Sequence, residues 1–359
     1  MKLLEKTTLA GLPLKNHMVM AAMTRSRADM EGIVGPLTVL YYTQRVSAGL
    51  IITEGINISE QALGSPLTPG LYTEKQIEAW KKVTDAVHKK GGLIFAQLWH
   101  TGRVGHSVDR KGVLPVAPSA VAIEGAKHFT LLGMKEYETP RALETDEIKQ
   151  IVRDYAQAAR NAIDAGFDGV ELHAANGYLP NQFLAESANQ RKDEYGGSIE
   201  NNSRFTLEVM QALIDAVGGN RVGIKISPLQ PYVGIVQKDP VATFSYLIGE
   251  LNKMDFAFLE LMKRSPMFSL LPGYPEDDEV ELFGRLSKNT LIANTAYTRE
   301  TAEAELEKGI AKLISFAASF LSNPDLPKRF ELGAELNQPD RPTMFGGGEH
   351  GYTDYPFLK

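Results

Sequence analysis

The chain has 359 residues, 43% hydrophobic and 23% charged, a composition that suits a soluble globular protein whose core needs no covalent staples. It contains no cysteine, which excludes disulfides, a thiolate nucleophile and cysteine-based zinc or iron–sulfur sites. A formal charge of -6 argues against a general nucleic-acid binder, which would present a basic face.

The opening segment MKLLEKTTLAG has no apolar stretch of signal-peptide length, and no run of about 18 apolar residues follows anywhere. Neither a leader nor a membrane span is expected, and a reducing cytoplasm is the expected location. The seven histidines include no H-x-x-x-H pair on a helical pattern, so no metal site is expected. Residues 2–16 read as a β-hairpin turning near Gly11, placed to plug the bottom of a barrel.

Short apolar runs then alternate with longer amphipathic stretches. The runs lie at 17–23, 49–55, 91–98, 168–174, 221–227, 255–261, 290–294 and 312–317. Each is nearly all apolar, as a strand buried on both faces should be. Helical patterns separate them. LTVLYYTQRVSA follows the first run, and TEKQIEAWKKVTDAVHKK precedes the third with Thr73 as N-cap. TDEIKQIVRDYAQAARNAIDAG precedes the fourth and stops at Gly166, and SIENNSRFTLEVMQALIDAVGG follows that run. PVATFSYLIGELNKM, DEVELFGRLSK, TRETAEAELEKG and NPDLPKRFELG complete the series.

Eight buried strands alternating with eight helices predict an α/β fold, a (β/α)8 TIM barrel in one domain spanning residues 1–359. An open doubly wound sheet is the rival, but no G-x-G-x-x-G follows the first strand. Residues 100–143, rich in Gly and Pro, form a long loop excursion after the third strand, where a site wall or lid is expected.

In such a barrel the site lies at the C-terminal strand ends. Reading those ends gives Thr24, Glu54, Gln97 with His100, His173 with Asn176, Lys225, Glu260 with Lys263, Asn294, and then Ala317 and Ala318. The richest segment is VELHAANGYLPNQFL. His173 and Asn176 both donate hydrogen bonds, as needed to polarise a carbonyl or hold an oxyanion. Tyr178 carries a phenol able to deliver a proton. Spacing alone leaves a bland reading equally open, with His173 capping a helix and Tyr178 in the core.

The segment VELHAANGYLPNQFLAESANQRKDEYGGSIENNSRF resembles the signature region of the Old Yellow Enzyme family. MVMAAMTRSRA, YYTQRVSAGLIITEG, AQLWHTGRVGH and RPTMFGGGEHGYTDYPFL agree with it in order, so the resemblance covers nearly the whole chain. It implies FMN at the barrel mouth, reduced by NADPH or NADH. It also implies hydride transfer to the activated alkene of an α,β-unsaturated carbonyl compound, a small-molecule substrate. Carried over, His173 and Asn176 hold the substrate oxygen and Tyr178 protonates the α-carbon. Thr24 and Gln97 hydrogen-bond the flavin ring, and Tyr352 lines the substrate pocket.

The chain departs from that pattern where the flavin would be held. Thr295 and Ala296 replace a glycine-rich phosphate turn, Ala317 and Ala318 replace a Gly-Arg pair, and Lys225 replaces an arginine at the ring. Loss of a bidentate phosphate contact weakens binding by about 2–4 kcal/mol. Glu260 and Lys263 stand where the family has a histidine and a glutamate. Lys225 and Lys263 together would favour an anionic ligand in the substrate pocket, unless they pair with Glu260 and Glu54. Two enzyme readings follow: an FMN-dependent ene-reductase, and a flavin-free isomerase, lyase or cyclase using the His173/Asn176 oxyanion site with Tyr178 as acid. A non-catalytic binding barrel is a third. Substrate specificity is expected to reside in 100–143 and 228–237.

Overall fold

The computed structural model describes all of residues 1–359. All eight expected strands form: Met18–Met20 (β1), Leu50–Asn57 (β2), Ile94–Trp99 (β3), Gly169–Ala174 (β4), Val222–Ile226 (β5), Phe258–Met262 (β6), Leu291–Asn294 (β7) and Leu313–Phe316 (β8). They pair in parallel, each with its sequence neighbours, and β8 closes on β1. A strand flanked by helices on one face and the barrel interior on the other is buried throughout, which explains the continuous apolar runs.

The helices are Pro36–Gln44 (α1), Glu74–Lys89 (α2), Thr145–Asp164 (α3), Leu179–Leu184 (α4), Ile199–Val217 (α5), Pro240–Leu251 (α6), Glu279–Leu282 (α7), Arg299–Lys308 (α8), Ala318–Ser322 (α9) and Leu326–Leu332 (α10). Thr73 caps α2 in a reciprocal capping box with Gln76, as its position before the apolar pattern requires. The short α4 and α9 were not expected. α4 begins directly after Tyr178 with Pro180 in its first turn, where the lost N–H has no partner to miss. The stretch expected as one helix over 278–288 divides into α7 and a 3-10 turn at Gly284–Leu286.

The barrel interior is layered. The hairpin Thr7–Leu9 and Leu12–Leu14 inserts Leu9 and Leu14 into a cluster with Val19, Leu50, Ile52, Phe95, Phe258, Ile292 and Leu313. The expected bottom plug is therefore present. Gly169 and Gly223 make room for this layer, because a Cβ at either position would strike the ring of Phe95 or Phe258. Two residues further along the strands the inward positions turn polar: Gln97, Glu171, Lys225, Glu260, Asn294 and Ser315, all buried. A second, 65-residue cluster fills the space between barrel and helices. The excursion at 100–143 carries its own hairpin, Lys127–Thr130 with Gly133–Glu136. No helix is long and apolar enough to cross a membrane.

Candidate active site

Side chains alternate along a strand, so β3 sends Gln97 and Trp99 toward the same interior one layer apart. β4 does the same with Glu171 and His173. His173 ends in a turn whose Asn176 adopts φ 55°, a left-handed conformation that asparagine tolerates better than most residues. The Asn176 backbone N–H is anchored on Ser227 Oγ at 2.9 Å. That turn brings the Tyr178 ring to 4.8 Å from His173, edge to face, and to 4.9 Å from Trp99. Two of the three expected residues, His173 and Tyr178, thus stand in contact beside Trp99, with Asn176 in the turn between them.

The polar atoms of the triad are unspent. His173 Nδ1 accepts the Ala175 N–H at 3.4 Å, which leaves the ring proton on Nε2. Burial and then the nearby Lys225 charge push this histidine well below its ordinary pKa, so it is neutral near pH 7. Burial pushes the Tyr178 phenol well above its ordinary value, so it keeps its proton. Neither His173 Nε2, the Asn176 side-chain amide nor the Tyr178 hydroxyl makes a hydrogen bond within the protein. Three donors within six residues of one strand end, none satisfied internally and two of them on rings in contact, can bind and protonate a polar ligand.

Below them the polar layer is knitted together. Gln97 Nε2 donates to Glu171 Oε1 at 2.7 Å. Glu260 Oε1 accepts from Lys225 at 3.1 Å, Asn294 at 2.7 Å and Ser315 at 2.8 Å. Burial and the Glu260 charge push Glu171 well above the usual carboxylate range, so it is protonated. Burial would raise Glu260 as well, but the Lys225 charge and the bonds from Glu171, Ser315 and Lys225 outweigh it and hold Glu260 low. Lys225 is therefore paired, as one of the expected alternatives had it. Lys263 sits 3.7 Å from Asp278 and 4.3 Å over the Tyr297 ring. The two lysines do not form an anion-binding pair, because each charge is already met by a neighbour.

Thr24 follows β1 and is half-buried, and its position depends on two supports. Glu54 Oε2 accepts the N–H of Arg25 at 3.1 Å. The guanidinium groups of Arg25 and Arg27 bind carbonyls of the C-terminal tail at Thr343, Met344, Gly348, His350 and Gly351. This clamp draws Tyr352 inward onto Tyr41, with ring centroids 4.3 Å apart, and buries it completely. The expectation that Tyr352 lines the substrate pocket is corrected: it is a wall stone of the tail clamp. His100 is also fully buried, its Nδ1 accepting the Gly102 N–H at 3.1 Å.

Trp99 and the two arginines were absent from the candidates read off the sequence. The i, i+2 spacing of Gln97 and Trp99 was an available signal for the tryptophan. The arginine clamp had none, since it joins residues more than 300 apart in the chain.

The clamp carries a pH dependence. Burial raises Glu54 to about 7, above its ordinary value of 4.5. A raised carboxyl contributes stability in full below its unfolded pKa and loses it as pH rises through the folded value. The protein is expected to lose roughly 2–3 kcal/mol relative to Glu54→Gln between about pH 4.5 and 7. Urea denaturation of both proteins across that range checks this, and parallel pH profiles would refute it.

A family model described as NADH:flavin oxidoreductase / NADH oxidase matches residues 2–337. The chain belongs to this family. The chain is 44% identical over 361 residues to 12-oxophytodienoate reductase 1 of Oryza sativa subsp. japonica, covering 99% of this chain and 93% of that one. It is 44% identical over 362 residues to a probable flavin mononucleotide-dependent alkene reductase of Leishmania infantum, covering 99% and 97%. Among solved structures, morphinone reductase in complex with tetrahydroNAD superposes with a TM-score of 0.93 at 47% identity, over 100% of this chain and 98% of that one. The Old Yellow Enzyme homologue from Zymomonas mobilis superposes with a TM-score of 0.95 at 40% identity, over 100% of both chains. The resemblance to the Old Yellow Enzyme family is borne out, and the chain is an oxidoreductase of that type.

The family is FMN-dependent, and the chain's residues suit a flavin unequally along its length. At the ring end Thr24, Gln97 and Lys225 supply polar groups; Gln97 keeps a free carbonyl and Lys225 further N–H donors beyond those they spend on Glu171 and Glu260. At the β7 and β8 ends, Thr295 and Ala296 hold φ of 94° and 59°, conformations suited to glycine. Ala296, Ala317 and Ala318 are exposed and bring no charge. The shape of a phosphate turn is retained there without its cation.

Proposed function

We propose that this chain is an ene-reductase that reduces the C=C bond of an α,β-unsaturated carbonyl compound, with FMN as cofactor and NADPH or NADH as reductant. We place the whole of residues 1–359 in one domain and the protein in the cytoplasm. The observation that carries the reading is the contact of the His173 and Tyr178 rings at the end of β4, with His173 Nε2, the Asn176 amide and the Tyr178 hydroxyl all left without a partner in the protein. The flavin supplies the hydride when bound. The relatives' names, an alkene reductase and a 12-oxophytodienoate reductase, and the tetrahydroNAD complex support the alkene substrate and the nicotinamide reductant.

The protein's part is positioning and proton delivery. His173 and Asn176 bind the carbonyl oxygen and stabilise the negative charge that develops on it. Tyr178 keeps its proton until the α-carbon needs it. Thr24, Gln97 and Lys225 orient the ring. Arg103 ties the excursion to the 228–237 segment by bonds to Val121, Val233 and Gly234 carbonyls, giving the substrate a fixed side wall. The same oxyanion site and acid would serve a flavin-free isomerase or lyase, but membership in a flavin family favours the reductase.

The test is the visible spectrum of the purified protein with FMN, followed by NAD(P)H oxidation in the presence of enones. Tyr178→Phe is expected to slow that oxidation about 100-fold, while flavin reduction by NAD(P)H alone proceeds unchanged. Equal loss in both steps would remove Tyr178 from the role of proton donor.

A further inference from the structure

We infer that this site selects flavins by the ring and not by the phosphate, so that riboflavin and FMN occupy it nearly equally. The inference rests on the flavin reading proposed above. In (β/α)8 barrels a phosphate is commonly held by the loops after the seventh and eighth strands. Here those loops are Thr295–Ala296 and Ala317–Ala318, side by side because Asn294 pairs with Ser315 in the β7–β8 register.

A phosphate held tightly needs close backbone N–H groups and a cation. Neither is offered. At 295 a β-branched side chain occupies the left-handed position, and its hydroxyl is engaged with Asn294 Oδ1 at 2.9 Å. The three alanines are exposed and uncharged.

Three cations on the adjoining elements are committed elsewhere. Lys263 is held by Asp278 and Tyr297. Arg299 pairs with Glu300 at 2.8 Å and donates to the Phe330 carbonyl. Arg45 lies fully buried behind α9, donating to the carbonyls of Phe320 and Leu321. The ring end, by contrast, keeps Thr24, Gln97 and Lys225. Recognition is thereby shifted from the charged end of the cofactor to its ring.

The experiment is an exchange. Purified holoprotein is dialysed against equal concentrations of FMN and riboflavin, and the bound flavins are released and separated by chromatography. Wild type is expected to hold the two within about three-fold of each other, at low and at high salt alike. Ala318→Arg, a change at an exposed position, is expected to enrich FMN by about 30-fold or more, and less so at high salt. Wild-type protein that holds FMN alone would overturn the selectivity while leaving the flavin reading intact. Protein that retains neither flavin would overturn both.

Discussion

His173→Ala combined with Asn176→Ala is expected to lower enone-dependent NAD(P)H oxidation by about 10³- to 10⁴-fold while leaving the fold in place. One oxyanion donor in a preorganised site is worth on the order of 10²–10³ in rate, and this change removes two. The donors are poised in the required form. A cationic histidine would bind an anion in the resting site, whereas neutral His173 presents a single N–H that strengthens only as charge builds on the substrate oxygen. Neither side chain contributes a hydrogen bond that the fold needs beyond the 3.4 Å contact at His173 Nδ1. The alanine at 176 takes a φ of 55° and costs about 1 kcal/mol, which Asn176→Gly avoids. Circular dichroism and thermal melting separate the two effects. Unchanged turnover in a folded double variant would remove the pair from the mechanism.

The second large effect is on stability. Glu260→Ala is expected to cost about 3–5 kcal/mol, because it removes the carboxylate paired with the buried Lys225 ammonium and leaves only Glu171, which must give up its buried proton to replace it. Side-chain exposure of the pair is 5% for Lys225 and 0% for Glu260, so water offers no substitute. Asn294 and Ser315 lose their acceptor in the same stroke. Replacing both charges, as Lys225→Met with Glu260→Met, is expected to recover most of the loss, since the desolvation of two ions disappears with their attraction. Acid acts through the same pair. Glu260 is held below its ordinary range, so its contribution is present above the unfolded carboxylate pKa and is lost as pH falls through the folded value. Urea titrations of wild type, single and double variants at neutral pH decide it. A single variant as stable as wild type would mean that Lys225 finds water or another partner.

These outcomes bear on how the chain came to be legible. His173 could be read directly from its place at the end of the β4 run, whereas Glu171, two residues earlier on the same face, was not among the candidates. The Thr73 cap and the Gly11 turn were equally plain, since each depends on residues within a few positions. The pairing of Lys225 was not, because two lysines and two glutamates at strand ends admit several matchings. Only the register between β5 and β6, which sets Lys225 opposite Glu260, selects one. Tyr352 was misplaced for a related reason: its motif says that it returns to the barrel mouth, but not which face of the ring Arg27 and Tyr41 will cover.

The sequence by itself determined the barrel and its eight strands, while the roles of His173, Asn176 and Tyr178 and the missing charge at 317–318 were read from the family resemblance. Periodicity, local turns and residue identity are properties of neighbours along the chain. Tertiary structure alone decided the protonation of Glu171, the commitment of Lys225 and Lys263, the burial of Tyr352 and the left-handed backbone retained at Thr295. Each of these depends on which distant groups share a small volume from which water is excluded, and that is settled only when the eighth strand closes on the first.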